Sequence, residues 1–207
     1  MRRLAPVVLL GALFACADDD DDGAASVASV PVAASTTVAE VGSVANPELR
    51  AELLAMMEED QAEQSGQVTT NNYEDRTARL AEILDEHGWP GFDLVGEDGS
   101  TAAWVIAQHA DTYVELQEQA LELLRTAAAD GQASPGDLAY LEDRVAVKHG
   151  EDQLYGTQIT CDAGSGPPVP QTPIADEENV DARRAEAGLP PLAEYIQEMQ
   201  EICSPPD

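Results

Sequence analysis

Apolar positions along the chain recur at helical spacing in five long stretches, and the breaks between them carry helix start and stop signals. Asn46-Pro47-Glu48 is a capped helix start, and Leu49, Leu53, Met56 and Met57 continue at three- and four-residue intervals to about Gln64. A second amphipathic helix is predicted from Tyr73 to His87, with Leu80, Ile83 and Leu84 inward and Gly88 as its C-cap. Trp89-Pro90-Gly91 turns the chain, Phe92 to Val95 reads as a short extended piece, and Ser100 is placed to cap a central helix after Gly99. Positions 102 to 107 carry apolar groups on nearly every side of that helix, so it belongs inside. Thr112-x-x-Glu115 has capping-box spacing before a long helix that ends near Gly131. Ser134-Pro135 opens another helix, which Gly150 stops. Gln153 to Cys161 reads as extended chain or a small hairpin, and two short helices, about 177–187 and 191–202, close the pattern. The fold class is therefore mainly α, a compact multi-helix domain around a buried central helix with a small extended segment near 153–161.

The N-terminus departs from this pattern. Met1-Arg2-Arg3 precedes an apolar run from Leu4 to Ala15 that ends at Cys16, which has the charge, length and small-residue boundary of a signal peptide. Leu13-Phe14-Ala15-Cys16 resembles a bacterial lipobox, in which the cysteine becomes the acylated first residue; Ala15-Cys16-Ala17 also fits ordinary cleavage. Both routes lead out of the cytoplasm, to a membrane-anchored lipoprotein in the first case and to a soluble secreted or periplasmic protein in the second. From Ala17 to Ala45 the chain has neither an aromatic nor a basic residue, and Asp18 to Asp22 lack the spaced ligands of a calcium loop. The organisation expected is signal peptide 1–15, lipidated Cys16 with an acidic Ala/Ser tether to 45, and a helical domain 46–207.

Charge narrows the partners. With 40 acidic and 10 basic residues the formal net charge is -30, and no basic patch interleaved with aromatics is present, so nucleic acid is a poor partner. Anionic lipid would repel the domain, so membrane association would run through the lipid anchor only. Once Cys16 is acylated, Cys161 and Cys203 remain as an even pair in a compartment where disulfides persist, with two free buried thiols as the alternative.

The candidate chemistry lies where polar residues interrupt the buried pattern. Gln108 and His109 end the central helix in or beside the core, where they need partners or serve a ligand. If the helix stops near Ala110, Asp111 can turn back on His109 and fix its tautomer, as in general-base catalysis; the alternative is a satisfied core histidine. Asp143 and Arg144 read as an ion pair or as a holder of an anionic ligand. In the extended run Gln153 to Gln158, alternation sets Gln153, Tyr155 and Thr157 on one side, as loop-securing groups or as ligand contacts. The expected site is one cleft in which His109, Asp111, Tyr155 and Gln158 meet, with Trp89 and Trp104 packed behind. The three histidines stand in no zinc spacing, and neither a phosphate loop nor a nucleophile elbow is present, so the chain is expected to use neither metal nor cofactor.

Gly88-Trp89-Pro90, Ala102-Ala103-Trp104 with Gln108-His109-Ala110-Asp111, Leu138-Ala139-Tyr140-Leu141 with Asp143-Arg144, Gln153 with Tyr155-Gly156-Thr157-Gln158, and Ala182-Arg183-Arg184 with Gly188-Leu189-Pro190-Pro191-Leu192 follow one another in order. They resemble the signature blocks of a bacterial family of unknown function, over about Leu49 to Met199, and Asp60-Gln61 resembles an early block of it. The resemblance implies a helical domain and no established activity. Two classes of function stay open: a cell-envelope module that binds a small molecule or peptide through Trp104, Gln108, Tyr155 and Gln158, and a hydrolase or transferase with His109 as base.

Overall fold

The computed structural model describes residues 44–68, 71–161 and 168–203. The expected signal peptide, Cys16 and tether lie outside these residues except for Val44 and Ala45, where the Ala45 amide donates to the Asp93 carbonyl at 3.0 Å. The architecture is mainly α: α1 (Pro47–Gln64), α2 (Tyr73–His87), α3 (Phe92–His109), α4 (Val114–Ala129), α5 (Pro135–His149), α6 (Val180–Glu186) and α7 (Leu192–Cys203). Among the described residues the one sheet is a two-stranded antiparallel pair, β1 (Ile159–Thr160) with β2 (Val169–Pro170). No helix among them is long and apolar enough to cross a membrane.

Start signals act as the sequence indicates at α1 and α5, where Asn46 accepts from the Leu49 amide at 3.0 Å and Ser134 accepts from that of Asp137 at 3.2 Å. The start of α3 differs. Phe92 to Val95 is a helical turn rather than an extended piece, because Gly91 lies in extended backbone and its carbonyl takes the amides of Leu94 and Val95. Gly96, at φ 78°, then lets the chain change direction and restart as helix, a backbone state open to glycine at little cost. Ser100 therefore sits inside the helix and does not cap it; its hydroxyl accepts the Trp89 indole N–H at 2.9 Å in the core. Thr112 likewise forms no capping box, since its hydroxyl faces Tyr73 Oη at 2.9 Å and α4 starts without a side-chain cap.

Helix α3 is the centre. Residues 102–108 are buried on all sides, and α1, α2, α4 and α5 all pack on it. The stripe Leu49, Leu53, Met56 and Asp60 of α1 faces it, as do Leu80, Ile83 and Leu84 of α2 and Leu121 and Leu124 of α4. A second, smaller cluster joins Ile159 of β1 to Tyr195 and Met199 of α7. Tyr140 on α5 connects the two clusters, edge-on to Trp104 on one side and to Tyr195 on the other, with ring centroids 6.0 and 6.1 Å apart. Cys161 and Cys203 form a disulfide with their Cα atoms 5.5 Å apart, which ties the end of β1 to the end of α7.

Candidate functional site

The inner stripes of α1 and α2 each contain a charged residue where an apolar one is expected. Asp60 follows Leu49, Leu53 and Met56 on the core side of α1, and Arg76 precedes Leu80 and Ile83 on that of α2. Both are buried, Asp60 at 2% and Arg76 at 5% exposure. They are partners. Arg76 Nη2 lies 2.7 Å from Glu63 Oε2 and 3.4 Å from Asp60 Oδ1. The other oxygen of Asp60 takes the Nδ1–H of His109 at 2.6 Å, and Gln61 Nε2 approaches it at 3.3 Å. An ionised carboxylate only accepts, so the proton of a neutral His109 is on Nδ1 and its lone pair on Nε2. The imidazole is 11% exposed, and no hydrogen bond joins Nε2 to another described residue.

Asp111 does not make the contact expected of it. Its carboxylate pairs instead with Arg144 Nη1 at 3.0 Å and Lys148 Nζ at 3.3 Å, which fastens the turn after α3 to α5. Tyr73 holds the same turn from α2, its Oη accepting the Thr112 amide at 3.1 Å. Beside this turn, along α2 and α4, runs a groove of about 520 Å³ lined by Ala81, Thr112, Tyr113, Leu116 and Gln119; His109 does not line it.

Asp143 and Arg144 do not pair with each other either. Adjacent on a helix, they point apart: Arg144 reaches Asp111, while Asp143, fully buried, accepts from the amides of Leu154 at 2.7 Å, Tyr155 at 3.1 Å and Thr157 at 2.9 Å and from Thr157 Oγ1 at 3.0 Å. The loop that presents these N–H groups to an anion presents a carbonyl to a cation on its other side. Arg184, also fully buried, donates to the carbonyls of Tyr155 at 2.8 Å and Pro190 at 2.6 Å and lies 4.9 Å from the ring centre of Tyr195. Burial lowers the pKa of its guanidinium. Gln153 completes the loop, receiving the Gln158 amide at 2.8 Å and donating to the carbonyls of Gln158 and Thr172. Gly156 stands at φ 68°, and a Cβ there would meet Ile174 Cδ1 at 2.5 Å.

No hydrogen bond joins the side chain of His109 to those of Asp111, Tyr155 or Gln158, the residues expected to share its cleft. The polar groups of Gln153, Thr157 and Gln158 are engaged with Asp143, with each other and with the Tyr140 carbonyl, and no hydrogen bond joins this loop to His109. Tyr155 is half-buried; burial first, then the carboxylates of Glu142 and Asp143, push its phenol up. Trp89 packs in the core on Ser100, and Trp104 is buried against Tyr140. What the structure does assemble is a carboxylate–histidine dyad, Asp60–His109, backed by Arg76 and Glu63.

A family described as a family of unknown function (DUF6624) has a model that matches residues 72–204. The chain belongs to this family. The DUF6624 match takes in α2 through α7, and hence His109, Arg76, Asp143 and Arg184, whereas Asp60 stands on α1, before the matched residues. No curated protein matches the chain, and neither does any solved structure.

Proposed function

We propose that the protein is an exported, lipid-anchored domain that binds a small molecule or peptide at the cell envelope, with His109 Nε2 as the central contact. The observation that supports this reading is the Asp60–His109 hydrogen bond of 2.6 Å. It fixes the ring and its tautomer from the buried side and leaves an acceptor on the other nitrogen, directed at a ligand N–H or O–H. Thr112 and Tyr113, which follow His109 in the chain, line the groove along α2 and α4, and Tyr73 holds them through its hydroxyl and its ring.

The same dyad supports a second reading, a hydrolase or transferase in which His109 takes a proton from water or a substrate hydroxyl while Asp60 stabilises the imidazolium. One experiment separates the two. The mature protein, His109→Ala and Asp60→Asn are compared by ligand-detected NMR against a defined panel of dipeptides and small polar metabolites, and for turnover of chromogenic esters and peptides. Binding that weakens about tenfold or more in both variants, a loss of roughly 1.4 kcal/mol or more, supports the binding site. Turnover lost in both variants makes it an enzyme. Identical behaviour of all three proteins removes the dyad from either role. Each variant is expected to cost about 1–3 kcal/mol of stability, the range for leaving one buried polar partner unmatched.

The anchor has its own test. Cys16→Ser is expected to move the protein from the membrane to the soluble fraction with an unchanged unfolding midpoint, because Cys16 precedes the first helix at Pro47. Intact mass of the mature wild type should show a diacylglycerol adduct on Cys16; a mass without it removes the lipoprotein reading.

A further inference from the structure

The junction of α3, α4 and α5 holds four buried polar atoms without a hydrogen-bond partner among the described residues: Trp104 Nε1, Gln108 Oε1, Gln117 Oε1 and Arg144 Nε. The two glutamines and the tryptophan are exposed by 2% or less. The other unpartnered buried side-chain atoms among the described residues, Arg76 Nη1, Thr172 Oγ1 and Arg184 Nη2, stand apart from this junction, and the other core indole, Trp89, donates directly to Ser100. The register explains why the four belong together. Thr101 on α3 bonds Asp137 on α5, 36 positions later, and Trp104 packs on Tyr140 at the same offset. That offset sets Gln108 level with Arg144, whose Nη1 reaches Asp111 just beyond the end of α3. Gln117 is fastened to the same place from α4, its Nε2 donating to the carbonyls of Ala107 and Gln108 at 3.1 and 3.0 Å.

Two of the four atoms donate and two accept. An anion would face two carboxamide oxygens and a cation would face a guanidinium and an indole N–H, so neither sign of charge suits the set. A water molecule, with two donors and two lone pairs, complements the donors and acceptors of this set. We propose that the α3–α4–α5 junction binds one internal water molecule, which accepts from Trp104 and Arg144 and donates to Gln108 and Gln117. It joins the end of α3, immediately before His109, to α4 and α5 and satisfies polar groups that α3 would otherwise carry into the core unmatched.

A crystal structure of the mature protein, at a resolution that orders internal waters, is expected to show one water oxygen within about 2.7–3.2 Å of at least three of these atoms. In solution the Trp104 indole N–H is expected to give a cross-peak to water that disappears in Gln108→Leu, while the Trp89 indole resonance keeps its position and reports an intact fold. Direct pairing of the four atoms with one another, a junction without electron density, or a Trp104 indole without a water cross-peak in the wild type overturns the proposal.

Discussion

Replacing Asp143 by Ala is expected to lower the stability of the domain by about 3–5 kcal/mol, the cost of breaking a buried, hydrogen-bonded charge network. Four donors converge on this carboxylate, three of them backbone amides of one loop. Without it those amides are buried with no acceptor, and Arg184 across the loop loses the attraction of one buried carboxylate, a smaller effect on it than that of Asp181. Asp143→Asn keeps the shape but turns an NH₂ group toward N–H donors, so it should recover little of the loss. Guanidinium unfolding of the mature protein and the two variants decides the matter. A change under about 1 kcal/mol would mean that the loop is held by Gln153 and Arg184 alone.

Removing the disulfide should cost nearly as much. Cys161 and Cys203 are 42 positions apart, and closing a loop of that length is worth about 4 kcal/mol on the chain-entropy estimate. The cluster that the bridge encloses is small, built on Ile159, Tyr195 and Met199, so α7 has little else to hold it against the hairpin. Cys161→Ser with Cys203→Ser, or reduction of the wild type, should therefore lower the unfolding midpoint and loosen α7 first, visible as early loss of amide protection in 192–203. Thiol labelling of the unreduced, denatured mature protein gives the complementary result: two reactive thiols would show that the bridge does not form.

The helices were legible because their signals are local. The caps at Asn46 and Ser134, the glycine stops at Gly88 and Gly150 and the apolar spacing of α1, α2, α4 and α5 each lie within a few residues of the structure they specify. Two local signals were overridden from a distance: Ser100 is taken by Trp89 and Thr112 by Tyr73, so neither caps the helix beside it. Position 109 was legible as a polar residue at the end of a buried helix. Its partner was not, because Asp60 stands 49 residues earlier, and spacing on one helix says nothing about which side chain a neighbouring helix delivers. A usable sign was present in the continuation of the Leu49, Leu53, Met56 stripe into Asp60, and in the presence of Arg76 at the head of the α2 stripe. A charge at a core-facing position announces a partner without naming it. The polar block from Gln153 to Gln158 carried the opposite ambiguity: its density of functional groups suits a ligand site, and here it closes a loop around Asp143.

The placement of Asp60 on α1 bears on how this protein can be divided. The family match begins at residue 72, yet α1 supplies the carboxylate that orients His109 and covers α3 with Leu49, Leu53 and Met56. A fragment trimmed to 72–204 would strip one wall from the central helix and release the histidine from its dyad. The stretch that the family model matches is therefore shorter than the packed helical body, which takes in α1 from its cap, Asn46.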